Sequence, residues 1–188
     1  MTAKRITVFG GSAPKAGEKA YKDALLLGKL LGEANHAVLT GGYMGTMEAV
    51  SRGANEAGGH VIGITCEEIE AWRDSKANPW VIEEIKHNTL KERLYALIEG
   101  CDGALALPGG VGTLAEITTM WNQMQTAALS KRPLVLIGAG WQAVFEQMFT
   151  HLESYVPAAH RELLVFAPDV VEATKDLKRL LEQQLPNS

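Results

Sequence analysis

Thiols are almost missing from this chain: among 188 residues only Cys66 and Cys101 are cysteines. Two cysteines make no disulfide framework, and nothing in their spacing suggests a zinc site, so a reducing compartment, the cytoplasm, is expected. Long hydrophobic runs are missing as well. The longest are a few residues, far below the roughly 20 that a membrane-spanning helix needs, which excludes membrane insertion. Met1 to Arg5 leads directly into Ile6-Thr7-Val8-Phe9, too short an apolar stretch for a signal-peptide core, so no export signal is expected. Charge of one sign is not concentrated anywhere: 18 basic and 22 acidic side chains give a net charge of −4. With no basic stripe, nucleic acid is not an expected partner, although a single nucleotide stays open. His36, His60, His87, His151 and His160 are scattered without helical ligand spacing, so no metal site is expected. Neither Gly-x-x-x-x-Gly-Lys-Ser/Thr nor a Gly-x-Gly-x-x-Gly after the first strand occurs, which disfavours an NTPase and an ordinary dehydrogenase.

What is present is a rhythm. Residues 1–188 read as one domain whose apolar fraction of 46% is sufficient for a core without covalent staples. Short apolar runs alternate with segments of helical period, the pattern of an α/β fold with a Rossmann-like, doubly wound, mainly parallel sheet and helices on both faces. Strands are expected at Arg5–Phe9, Ala37–Thr40, His60–Ile64, Val81–Lys86, Gly103–Leu107, Pro133–Ile137 and Leu163–Phe166. Helices are expected at Glu18–Ala34, Gly45–Ala57, Leu90–Glu99, Thr113–Leu129, Trp141–Leu152 and Val170–Gln184. The aperiodic stretch from Thr65 to Trp80 reads as a surface excursion of the kind that carries binding loops or lids. Its alternative is a short extra helix with Trp72 and Trp80 packed against the body or a second subunit.

Three strand ends run into glycine clusters. Gly10, Gly11 and Ser12 form the first; Gly41 and Gly42, with Gly45, Thr46 and Met47, the second; Gly109, Gly110, Val111, Gly112 and Thr113, after Pro108, the third. Each alone is a tight strand-to-helix turn. Three at the same sheet edge, where ligands of such folds bind, make these residues candidates for holding a substrate. With no P-loop lysine, they suit one phosphate rather than a triphosphate, so a nucleoside monophosphate is the expected size of ligand.

Two charged residues stand out on the helices. Glu116 follows Thr113 by three positions, which predicts a capping box, yet it also borders the apolar arc of Ile117, Met120, Trp121 and Met124. Arg93, behind a second Thr-x-x-Glu pattern at Thr89 and Glu92, lies about 40° around an ideal helical wheel from Leu97 and so faces near the core. Snorkelling, a structural ion pair, or a guanidinium aimed at a phosphate, a sugar oxygen or a carboxylate all satisfy that position. Ser12 and the two cysteines have no pattern marking them as activated nucleophiles.

The run Pro108-Gly109-Gly110-Val111-Gly112-Thr113-Leu114-Ala115-Glu116, with Arg93 15 positions before Pro108, resembles the LOG, or Lonely Guy, family, often mislabelled as lysine decarboxylases. The resemblance extends from Val8-Phe9-Gly10-Gly11-Ser12 through the second glycine cluster to at least Trp121, roughly the first two thirds. It implies a dimerising Rossmann-like sheet and an enzyme that hydrolyses cytokinin riboside 5′-monophosphates to free base and ribose 5-phosphate. By that resemblance Arg93 and Glu116 are catalytic, and Gly109, Gly110, Gly112 and Thr113 bind the phosphate; no metal or redox cofactor is implied. Family enzymes commonly carry Met-His-x-Arg-Lys around the arginine, whereas this chain reads Leu90-Lys91-Glu92-Arg93-Leu94. That departure leaves room for AMP or another monophosphate, and for the non-enzymatic role of the related molybdenum-cofactor carriers, whose glycine loops are similar. A scaffolding protein is a third class. The homodimer also fits the apolar helix bearing Met120, Trp121 and Met124, residues that fill a monomer core equally well.

Overall fold

The computed structural model describes residues 3–184. Met1 and Thr2, where the expectation about a leader begins, and residues 185–188 lie outside that range. The chain alternates strand and helix from its start: β1 (Arg5–Phe9), α1 (Lys19–Glu33), β2 (Ala37–Thr40), α2 (Thr46–Glu56), β3 (Val61–Cys66), α3 (Glu67–Arg73), β4 (Glu83–His87), α4 (Leu90–Glu99) and β5 (Gly103–Ala106). Then follow α5 (Val111–Gln125), β6 (Leu134–Ile137), α6 (Ala139–His151), a 3-10 turn at Glu153–Tyr155, the short α7 (Ala158–Arg161), β7 (Val165–Ala167) and α8 (Val170–Gln183).

Every strand pairing is parallel, and the order across the seven-stranded sheet is β4-β3-β2-β1-β5-β6-β7. The sheet is therefore wholly parallel rather than mainly so. The alternation of side chains along each strand splits the core into two layers. Ile6, Val8, Val38, Leu105, Leu107 and Val135 face α1, α2 and α8 through Leu27, Leu31, Val50, Ala54 and Leu177. Phe9, Leu39, Ile62, Ile64, Ala104 and Leu136 face α4, α5 and α6 through Leu97, Ile98, Ile117, Met120, Trp121 and Phe145. Met120, Trp121 and Met124 are buried within that second layer, so they fill the core of this chain and offer no face to a partner.

The strands all form where the apolar runs predict them, with shifted ends. β4 begins at Glu83, because Val81 and Ile82 belong to the turn that brings the chain to the sheet: the amide of Val81 donates to the Asn78 carbonyl and that of Ile82 to Val61. β3 continues to Cys66, which pairs with His87. β4 is an outer strand and carries Glu83, Glu84 and Lys86 in the exposed pattern that protects an edge.

Candidate functional site

At the carboxyl end of the sheet, β1 has β2 on one side and β5 on the other, so the connection direction reverses there and a crevice opens. The loops leaving those three strands carry the three glycine clusters. They are tied to one another by backbone: the amide of Gly11 donates to the Pro108 carbonyl at 3.4 Å, and the Thr46 amide and hydroxyl both donate to the Gly11 carbonyl, at 2.9 and 3.0 Å. Gly45 adopts a φ of +74°, and a Cβ there would run into the backbone of Ser12. That close approach lets the second cluster brace the first.

A cavity of about 390 Å3 occupies the crevice, within the range of small-molecule pockets. Gly10, Gly11, Ser12, Met47, Arg93, Gly110, Val111, Gly112, Thr113 and Glu116 line it, together with Ile69, Trp72, Arg73 and Leu90. Of the sequence-derived candidates, Gly41, Gly42, Gly45, Thr46 and Gly109 are not in the lining. Thr46 latches the loops as described, and Gly41 makes room: its carbonyl accepts from Arg93, and a Cβ there would overlap Arg93 Nη2 and Met47 Sδ. A larger depression of about 560 Å3, over α1 and α2 and lined by Lys22, Leu26, Lys29 and Glu56, brings together no such set of groups.

Arg93 is 6% exposed and has no carboxylate within ion-pair distance among the described residues, which removes both the snorkelling and the ion-pair readings. Its Nε donates to the Ile64 carbonyl at 2.8 Å and Nη2 to the Gly41 carbonyl at 3.2 Å, while the guanidinium lies 5.6 Å from the centre of the Tyr43 ring. Neutral acceptors fix the group without cancelling its charge, so its field reaches the cavity. The helix that carries it is locked at its start: Thr89 Oγ1 accepts from the Glu92 amide at 3.2 Å, and the Glu92 carboxylate accepts from the Thr89 amide at 3.1 Å.

The matching box predicted at Thr113 and Glu116 does not form. α5 starts two residues earlier than Thr113, its N-cap is Gly110, and no side chain caps it. Thr113 is buried in the first turn instead, and the amides of Val111, Gly112 and Thr113 have no acceptor within the helix. These residues line the cavity, which places the positive end of the helix dipole at its wall. Glu116, released from capping, sits one turn deeper. Burial pushes its carboxyl up to about 7, and the nearby Arg93 charge opposes that rise. The site thus combines an uncapped helix start, a guanidinium with no carboxylate at ion-pair distance, and a carboxyl group poised near neutrality. Among the described residues, no cluster of three His, Cys, Asp or Glu is arranged to hold a metal ion.

The excursion after β3 contributes a wall that the glycine motifs do not announce. It is a seven-residue helix, α3, closed by Asp74 in the left-handed region at φ +44°. Trp72 is 76% exposed at the cavity rim, so it does not pack against the body; Trp80 is half-buried under Arg52, whose guanidinium lies 5.3 Å from the ring. Asn78, also unmarked in the sequence, is buried and pins the segment: its side-chain amide donates to the carbonyls of Gly42 and Tyr43, each at 2.9 Å.

Comparison with known proteins gives the same region a context. The profile of a family described as possible lysine decarboxylase matches residues 47–177. The cytokinin riboside 5′-monophosphate phosphoribohydrolase LOG of Oryza sativa subsp. japonica is 30% identical over 191 residues, covering 97% of this chain and 74% of the rice protein. The probable phosphoribohydrolase LOGL9 of the same species is 29% identical over 190 residues, covering 97% and 79%. The solved molybdenum cofactor carrier protein of Chlamydomonas reinhardtii superposes with a TM-score of 0.71 at 29% identity, covering 96% of this chain and 99% of the carrier. The likeness therefore runs well past Trp121, the position to which the motif resemblance extends at the least.

Proposed function

The chain belongs to the LOG, or possible lysine decarboxylase, family, and from that premise we propose that it is a nucleoside 5′-monophosphate phosphoribohydrolase. Its reaction is hydrolysis of the N-glycosidic bond of AMP or an N6-substituted AMP to free base and ribose 5-phosphate. The observation that carries this reading is Glu116: a carboxyl group pushed up to about 7, in one cavity with Arg93 and the uncapped start of α5.

In this reading the amides of Val111, Gly112 and Thr113 hold the 5′-phosphate, which restricts the ribose to one pose. The bond from C1′ to the base nitrogen breaks, the base leaves with the electron pair and takes up a proton from solvent water, and positive charge develops on the sugar. Ionised Glu116 stabilises that charge, or takes the proton of the water that attacks C1′. Arg93, immobilised by the Ile64 and Gly41 carbonyls, orients the carboxylate and the sugar oxygens. The glycines at positions 10 and 11, Ser12 and Met47 shape the remaining wall. A homodimer, as the family resemblance implies, is part of the proposal, and sedimentation equilibrium measures it.

The test is incubation with AMP and with N6-isopentenyl-AMP, followed by chromatography of the released base. Wild type is expected to release base and ribose 5-phosphate, and Glu116→Ala to lose roughly 100- to 10,000-fold in turnover while still binding AMP. A second reading, a carrier of a phosphorylated ligand, is favoured by the 29% identity to the Chlamydomonas carrier and by the altered neighbours of Arg93. Tight binding of AMP by wild type with no base released establishes the carrier in place of the hydrolase.

A further inference from the structure

Arg93 is buried, and two of its donors are spent on the Ile64 and Gly41 carbonyls. The cavity holds a second arginine. Arg73 closes α3 and lines the same cavity as Ser12, Gly110 and Thr113. Its Nη1 donates to Ser12 Oγ at 3.2 Å, across 61 positions of sequence, so the guanidinium is already docked onto the first glycine cluster. Its Nε is shielded from solvent and has no hydrogen-bond partner. No carboxylate of the described residues lies within ion-pair distance of it, and its guanidinium carbon lies 5.2 Å from the centre of the Trp72 ring.

A shielded donor without an acceptor is costly, and a positive charge without a counter-charge beside an uncapped helix start favours an anion there. Arginine presents paired N–H groups in a fixed plane that match the oxygens of a phosphate. We propose that Arg73 is the cationic ligand of the substrate's phosphate monoester, gripping it from α3 while the amides of Val111, Gly112 and Thr113 hold it from α5. Ser12 positions the guanidinium. This rests on the reading of the cavity as a nucleotide site and adds to it a residue outside the glycine motifs. A purely structural arginine, complementing the negative end of α3, is the competing account.

Calorimetric titration of wild type, Arg73→Gln and Arg73→Lys with ribose 5-phosphate, AMP and adenosine separates the two, with melting temperature recorded to show that each variant is folded. Arg73→Gln is expected to weaken ribose 5-phosphate and AMP by roughly 10- to 100-fold, leave adenosine unchanged, and be partly rescued by Arg73→Lys. Equal affinity of Arg73→Gln and wild type for the two phosphates overturns the proposal, as does a loss that is the same for adenosine. Failure of the hydrolase reading is distinct: wild type then releases no base, yet the Arg73-dependent loss of ribose 5-phosphate binding still supports Arg73 as the anion ligand. Wild type that binds neither phosphate overturns both.

Discussion

Glu92 and Glu116 occupy the same Thr-x-x-Glu pattern and end with opposite chemistry. Glu92 closes its box, and the Thr89 and Asn88 amides hold its carboxyl below the usual range. Glu116 accepts no such bond, and burial holds its carboxyl up to about 7. The difference originates at Gly110, which lets α5 begin before Thr113 and moves the glutamate one turn into the helix. Its protonation then links to folding. A carboxyl raised from 4.5 to about 7 keeps its proton in the folded chain while the unfolded chain has lost it, so stability falls as pH rises through that interval and is flat above it. Glu116→Gln is therefore expected to unfold at the wild-type denaturant midpoint near pH 4, and at a higher midpoint above pH 7, by about 1–3 kcal/mol. The same variant loses turnover, because only the ionised carboxylate serves as base or counter-charge. Wild-type kcat/KM is expected to rise with pH through about 7, and a profile flat from pH 5 to 9 excludes Glu116 as the ionising group.

At the scale of elements, the sheet was legible because every strand but the charged edge strand β4 is a short apolar run, and each long helix has an apolar stripe; the site's glycine loops and Arg93 followed from the same signals. α3 was legible only as an alternative to a surface loop, because a seven-residue helix with Trp72 exposed buries none of its residues and so leaves no periodic stripe. Asn78 escaped for another reason: its partners, Gly42 and Tyr43, lie more than thirty positions earlier, and only the fold brings them together. The cap at Thr89 was readable and that at Thr113 was not, since a glycine three residues upstream competes to start the helix. Asn78 couples the excursion to the second glycine cluster through three hydrogen bonds to Gly42 and Tyr43, one from its backbone amide. Asn78→Ala keeps the backbone bond to Gly42 but removes the donor of the buried Tyr43 carbonyl, which predicts a loss of about 1–3 kcal/mol by urea unfolding. The position of α3 depends on that anchor, so the variant is also expected to raise KM for AMP more than it lowers kcat. An unchanged KM would show that α3 is held independently of Asn78.

The whole molecule concentrates its chemistry on one edge. Parallel strands send their carboxyl ends the same way, and the reversal of order at β1 leaves a crevice between the loops of β1 and β5. Its lining comes from five separate stretches, the β1 loop, the start of α2, α3, α4 and α5, which pack on different strands. A ligand seated there touches groups that are assembled only when the sheet is intact, so binding opposes global unfolding rather than the fraying of one loop. For a ligand at 100 times its dissociation constant that stabilisation is about 2.7 kcal/mol. In a chain of 188 residues this corresponds to a melting temperature raised by roughly 5–10 °C. AMP and ribose 5-phosphate are expected to produce such shifts and adenosine at the same concentration a smaller one, because the helix start and Arg73 act on the phosphate. If neither phosphate moves the melting temperature at millimolar concentration, the crevice is not a phosphate site and a scaffolding role becomes the better account.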